Sequence, residues 1–277
     1  MKTAITAAHL ITPAEWIESP VMVIEDELVA ALGSRETIAV PEGARRLDLS
    51  GLILAPGLID VHVHGGAGHD VMENDPTGLE AMERHMASHG VTGYLPTTVT
   101  APLDRTLAAL ENLGKAVTDR GARTARARPL GIHLEGPFIS HAKRGVHPPE
   151  YLVRPSPERL DGFWQASAGT IRMMTIAPEL PGAVETISRA RALGVRSSLG
   201  HSDASYDQAR AAIGAGAEHA THTFNAMRSL NHRNPGILGA VLTEDLLSAS
   251  SVSGRSTRAG CNQKTEQSRR FTFQSPT

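Results

Sequence analysis

The chain has 277 residues, 40% of them hydrophobic, and carries 27 basic against 29 acidic side chains for a net charge of −2. That size and composition suit one large α/β domain, or one domain with a small appendage, and the near-neutral balance gives no reason to expect a nucleic-acid or membrane-surface partner. Cys261 is the only cysteine, which excludes an intramolecular disulfide framework and any multi-cysteine zinc or iron–sulfur site, and fits a reducing cytoplasm.

The opening MKTAITAAHLITPAEW has one lysine and no sustained apolar core, unlike a secretory signal, and no apolar run approaches the ~20 residues that span a bilayer. A cytoplasmic chain is expected. Short strands are predicted over 2–7, 21–24, 28–32, 46–49 and 52–54, separated by turn formers such as Gly33, Pro41 and Gly51. This reads as a small β-sandwich-like domain over residues 1–54.

From Gly57 the pattern changes to strand-then-helix alternation. A continuous apolar strand, 58–62, precedes a helix that starts after Asp75, carries Leu79, Met82 and Met86 at helical spacing, and stops at Gly90. The second strand is 92–98, followed by a helix with Leu107, Leu110 and Val117 on one face. The third is 130–135, followed by a long loop over 136–157 and a helix through Leu160 and Trp164. The fourth is 170–176, with Val184, Ile187 and Ala190 on its helix. The fifth is 195–201, followed by a helix that Ser205 and Gln208 open as a capping box, and the sixth is 218–222.

Short, apolar, non-alternating strands separated by helices imply a parallel sheet covered on both faces. With no Gly-rich phosphate fingerprint after the first strand, six successive βα units point to a (β/α)₈ TIM-type barrel over residues 55–249, incomplete at about six of eight units. Periodicity stops after Leu247, and residues 250–277, rich in Ser, Thr, Gln and Arg, read as a divergent tail, either a solvated basic segment or the product of a reading-frame change.

Thirteen histidines stand against three tyrosines and two tryptophans, so their placement matters. His62 and His64 end the first barrel strand, where residues two apart share a face. Glu135 ends the third strand in GIHLEGPF, His201 the fifth in SLGHSDA, and His222 the sixth in HATHTFNAM. Each alone is as well explained by a structural or solvent-facing role. Together they fall on the C-terminal face of a parallel barrel, where catalytic groups gather. One Glu and two His with a water make an open, three-protein-ligand hydrolytic metal site, and His62 and His64 could hold a second ion with Glu135 bridging. His85 and His89, four apart on a helix, are expected to face water, and His9, His69, His141 and His219 have no supporting context.

LAPGLIDVHVHGG, GIHLEGPF, KRGVHPPE, SLGHSDA and THTFNAMRSLNHRNPG resemble, in order and spacing over about residues 1–249, the N-acetylglucosamine-6-phosphate deacetylases of the amidohydrolase superfamily. Many amidohydrolases use a carboxylated lysine on the fourth strand as bridging ligand; TIRMMTIAPE has no lysine there, which leaves Glu135. The resemblance implies metal ligation by Glu135, His201 and His222, one or two divalent ions (zinc, iron or similar) per subunit, and a second-ion position at His62 and His64. It implies that His147 bonds the acetamide carbonyl with Val146 lining the same pocket, that Asn225 and Ala226 contact the sugar phosphate, and that Arg233 clamps phosphate from the neighbouring subunit of a homodimer. The small-molecule substrate would be N-acetylglucosamine 6-phosphate, hydrolysed to glucosamine 6-phosphate and acetate. The family's acid/base aspartate, on the eighth strand, and a phosphate-binding histidine belong beyond Ala249, so no catalytic acid/base is assigned and the 277-residue chain is expected to fold poorly and turn over slowly. The alternatives are another metal-dependent cyclic amidase or aminohydrolase, and a non-catalytic metal- or ligand-binding remnant.

Overall fold

The computed structural model describes residues 1–119, 121 and 124–251, and the backbone of Arg269 and Arg270. The chain divides into two compact units, Met1–Gly57 and Leu58–Thr277.

In the first unit, β1 (Lys2–Ile11) pairs antiparallel with β2 (Trp16–Glu18) and with β3 (Pro20–Glu25), β3 pairs with β4 (Leu28–Ser34), and β5 (Arg45–Leu54) runs parallel to β1. Ala4, Ala7, Leu10, Val21 and Val23 are buried. The two strands predicted at 46–49 and 52–54 are one. Ala7 faces Leu49 and His9 faces Ile53, so β5 carries extra residues around Gly51. The turn former makes a bulge rather than a break, because the ladder resumes on both sides of it.

The second unit is built on parallel strands in chain order: β6 (Leu58–Val63), β9 (Val91–Pro96), the short β10 (Arg128–Pro129) continuing after Gly131 as β11 (Ile132–Glu135), β12 (Ile171–Ile176), β13 (Arg196–Leu199), β14 (Ala217–Ala220) and β15 (Ser248–Ser251). A Thr97–His133 bridge joins the β9 and β11 sides. A small antiparallel pair, β7 (Gly65–Gly66) and β8 (His69–Asp70), follows β6. The helices are α1 (Pro76–Ser88), α2 (Leu103–Thr118), α3 (Pro157–Ala166), α4 (Ala183–Ala192), α5 (Tyr206–Ala215) and α6 (Gly236–Thr243). Asp75 caps α1 by accepting the Thr77 N–H with Pro76 in the first turn, and Ser205 and Gln208 form the predicted capping box on α5.

The core lies between these helices and the sheet: Met82, Leu110, Leu160 and Ile187 pack with Tyr94, Leu134, Ile171, Met174 and Ile176, all buried. The fold is a TIM-type barrel in part, with six βα units and one strand more than predicted. That strand, β15, corrects the expectation that periodicity stops after Leu247. It was invisible to hydrophobic patterning because its side chains are mostly hydroxyls. Ser248 bonds His219 Nδ1 and donates to the Glu218 carbonyl, while the Ser250 hydroxyl donates to the Ala220 carbonyl and accepts the His222 N–H. Among the described residues no ladder joins β15 to β6. The tail expected to diverge from residue 250 lies outside the described residues after Ser251, apart from the two-residue β16 (Arg269–Arg270), antiparallel to β15. No described helix is long and apolar enough to cross a membrane.

Candidate metal centre

Glu135, last residue of β11, is 2% exposed, and imidazoles meet it on both sides. Its Oε2 lies 3.3 Å from His62 Nε2 and 3.1 Å from His64 Nε2, and those two nitrogens are 3.1 Å apart. Its Oε1 lies 3.4 Å from His201 Nε2 and 3.3 Å from His222 Nε2, which are 3.0 Å apart. Two triangles of ligand atoms therefore share one carboxylate. Ligands about 2.0–2.1 Å from a tetrahedral zinc stand about 3.3–3.4 Å from one another, close to both triangles.

The hydrogen bonds on the far sides of the rings decide what those nitrogens carry. His201 Nδ1 is 2.9 Å from the Lys143 carbonyl, His222 Nδ1 is 3.1 Å from the Asn225 carbonyl, and His64 Nδ1 is 3.0 Å from the Thr97 carbonyl. A carbonyl only accepts, so Nδ1 holds the proton in each and Nε2 presents a lone pair. At the Oε1 triangle, two imidazole lone pairs and a carboxylate oxygen converge, and among the described residues that oxygen is buried without a hydrogen-bond partner. Such a convergence is repulsive without a cation between the three atoms, and carbonyl-oriented imidazoles are the usual outer support of metal ligands. The donor set fits a divalent ion. Burial works to raise the Glu135 carboxyl, but the charge at His62 foremost overcomes it and holds the group well below the ordinary carboxylate range.

His147 sits beside this pair of triangles, with Nε2 3.8 Å from Glu135 Oε2, and differs from the others. Its Nδ1 accepts the backbone N–H of Thr100 at 3.2 Å and lies 2.8 Å from the Thr100 hydroxyl. The neutral ring therefore carries its proton on Nε2, making His147 a donor into the site rather than a ligand. Gly136 is required here: its φ is +72°, and a Cβ would fall 2.0 Å from Thr100 Oγ1.

Burial, above the opposing pull of Glu135, pushes the His147 imidazole from its ordinary 6.5 down to about 4. In the window between those values the unfolded chain binds a proton that the folded chain refuses. Stability of the metal-free protein is then full above pH 6.5 and declines as pH falls toward 4, by up to about 3 kcal/mol from this group. His147→Gln is expected to flatten that limb in denaturant unfolding measured across pH; an unaltered limb would assign it to other groups.

Among the remaining sequence-predicted residues, Val146, Asn225 and Arg233 are exposed and Ala226 is half-buried. Val146 is 87% exposed, Asn225 is exposed and presents its carbonyl to His222, and the Ala226 carbonyl accepts the Ser202 N–H. Arg233 is exposed, in a turn where its N–H meets Asn231 Oδ1, and its guanidinium makes no ion pair among the described residues. His219, left without a role by the sequence, supports β15.

Sequence reasoning missed His133. It is 1% exposed under the cluster, its Nδ1 donating to the Val61 carbonyl at 3.1 Å, its Nε2 2.7 Å from the Thr175 hydroxyl, and its ring 4.8 Å from that of His62. Thr175 continues to Thr221 at 2.9 Å. Burial first, then His62, pushes the His133 imidazole well below its ordinary value, so this floor is neutral. The signal was present in Ile-His-Leu-Glu, since a residue two before Glu135 shares its face.

The amidohydrolase family profile matches residues 53–250. N-acetylgalactosamine-6-phosphate deacetylase of Escherichia coli O157:H7 is 40% identical over 244 residues, 88% of this chain and 62% of that protein. N-acetylglucosamine-6-phosphate deacetylase of Vibrio furnissii is 36% identical, over 85% of this chain and 58% of its own length. Among solved structures, a mutant N-acetyl-D-glucosamine-6-phosphate deacetylase from Mycobacterium smegmatis in complex with N-acetyl-D-glucosamine-6-phosphate superposes with a TM-score of 0.82 at 33% identity, covering 90% of this chain and 62% of that one. The chain thus spans about three fifths of the length of these relatives.

Proposed function

Because this chain belongs to the amidohydrolase family, we propose that it is built for metal-dependent hydrolysis of the acetamide of N-acetylglucosamine 6-phosphate, giving glucosamine 6-phosphate and acetate. The observation that carries the reading is the convergence of Glu135 Oε1, His201 Nε2 and His222 Nε2, lone pairs inward, beside an inward N–H on His147. Glu135, His201 and His222 would hold the hydrolytic ion, and His62 and His64 a second one through Oε2. Bound there, a divalent ion such as zinc or iron supplies Lewis acidity toward a carbonyl and acidifies water.

The chain's own residues do the rest. His147 Nε2–H donates to the amide oxygen, and because its ring is neutral it polarises the carbonyl without surrendering a proton. Val146 lines the acetyl side, and Asn225 and Ala226 border the sugar phosphate. Arg233, exposed and without an ion-pair partner among the described residues, offers a planar donor fork to the phosphate bound in a partner subunit of a homodimer. The proton that the departing amine needs is assigned by the family resemblance to an aspartate on the eighth barrel strand, and no aspartate follows Asp245 in this sequence. A cytoplasmic location suits a phosphorylated sugar, which crosses membranes poorly.

Acetate release from N-acetylglucosamine 6-phosphate by the zinc-loaded chain tests the reading, with N-acetylgalactosamine 6-phosphate and a neutral cyclic amide as comparison substrates. Turnover of the cyclic amide alone would replace the deacetylase reading with a cyclic amidase, and metal uptake without acetate release would leave a non-catalytic binder. His147→Gln is expected to lower turnover by about 10²–10³, the usual loss on removing one donor to a developing oxyanion, with metal content unchanged. Equal loss of metal and rate would instead make His147 a ligand.

A further inference from the structure

Both histidines proposed for the hydrolytic ion sit on unfavourable backbone. His201 has φ +47° and His222 φ +31°, and Phe224 and Ala226 after them are also positive, at +77° and +51°. Side-chain-bearing residues adopt this region only where surrounding structure fixes them there. The turns after β13 and β14 must therefore be held by something other than their own preference.

What holds them lies one layer outside the ligands. Ser202 and Met227 form a parallel bridge, with the Ser202 N–H donating to the Ala226 carbonyl at 3.0 Å and the Arg228 N–H to the Ser202 carbonyl at 2.9 Å. Beyond it, Arg228 grips Asp203 with two prongs, Nε to Oδ1 at 3.2 Å and Nη2 to Oδ2 at 3.0 Å. Behind them, Glu179 from the loop after β12 accepts the Ser202 hydroxyl and the Asp203 N–H, both at 2.7 Å. Room for the arginine stem comes from Gly236, where a Cβ would stand 3.0 Å from Arg228 Cδ.

We propose that the Asp203–Arg228 ion pair, seated on Glu179, is a positioning clamp that keeps the strained turns of His201 and His222 in register so that their Nε2 atoms meet at one point. None of the three side chains contributes an atom to the ligand triangles; they act through the backbone of the residues that do. An ion pair still about a third exposed usually adds little to global stability, so its effect should concentrate on the two turns it joins. The clamp rests on the metal reading above, and its test separates the two.

The probe is Co²⁺, added to the full chain carrying Arg228→Met or Arg228→Lys and to the unaltered chain. Arg228→Met is expected to weaken Co²⁺ retention against a chelator by about 10- to 100-fold, the usual size of an outer-support effect, and to change the visible spectrum of the bound ion. Arg228→Lys keeps the charge, loses the fork, and is expected to fall between. In the metal-free state, amide exchange over 201–204 and 225–228 should quicken in Arg228→Met and recover in part in Arg228→Lys, with the helices unchanged. Unaltered retention, spectrum and exchange in both variants would overturn the clamp. An unaltered chain that takes up no Co²⁺ would overturn the metal reading instead, and the exchange comparison, made without metal, would still decide the clamp. Should Arg228→Met not fold, Asp203→Asn against Arg228→Lys supplies the same contrast.

Discussion

Glu135→Gln is expected to weaken retention of divalent metal a hundredfold or more while leaving the fold intact. Glutamine keeps the shape of the side chain but surrenders the one charge shared by both ligand triangles. Binding free energies of zinc at four-ligand protein sites are about 10–16 kcal/mol, so one ligand accounts for about 3 kcal/mol, a hundredfold or more in affinity. Glu135 stands in both triangles, one oxygen in each, so its loss should reach both positions, whereas His62→Asn with His64→Asn should empty only the Oε2 side. Elemental analysis after gel filtration reads this directly. A Glu135→Gln protein holding metal as tightly as its parent would show that the carboxylate is not a ligand.

Removing the metal should lower the melting temperature by roughly 8–16 °C. A ligand that binds only the folded state at a thousand times its dissociation constant adds about 4 kcal/mol, and a domain of this size gains about 2–4 °C per kcal/mol. Chelator-treated protein should melt low and recover on adding zinc, and His201→Gln or His222→Gln should melt low whether or not zinc is added. The imidazole lone pairs that repel one another around Glu135 Oε1 would be the source of the difference, since a bound ion would convert that repulsion into coordination. Scanning calorimetry with and without zinc measures it, and coincident melts in the unaltered chain would argue against an ion at this place.

Much of the fold was legible because it rests on local rules. Leu79, Met82 and Met86 recur at helical spacing, Asp75 and Ser205 mark helix starts, and the segments ending in His62, Glu135 and His222 read as parallel strands, although Leu58 and Ile59 at the start of β6 are exposed. Elements resting on polar ladders were not legible. The hydroxyls of Ser248 and Ser250 satisfy their own strand's neighbours, so β15 shows no apolar signature, and Gly51, read as a break, is a bulge within β5. His133 went unread for a different reason: a histidine inside an apolar strand is noticed only once its floor partners on other strands are known.

By itself the sequence determined which residues are candidate ligands by type, which strand ends carry them, and which turns introduce the helices, because these depend on periodicity and on short-range capping chemistry. Only the tertiary structure decided that one carboxylate faces two histidine pairs, that His64, His201 and His222 point lone pairs inward while His147 points a proton, and that Asp203 and Arg228 tie two strained turns together. A tautomer is set by whichever group lies across the ring, and here that group is a carbonyl or an N–H from a loop as many as 58 residues away. No pattern along the chain encodes that meeting, which exists only after the loops converge on one mouth of the sheet.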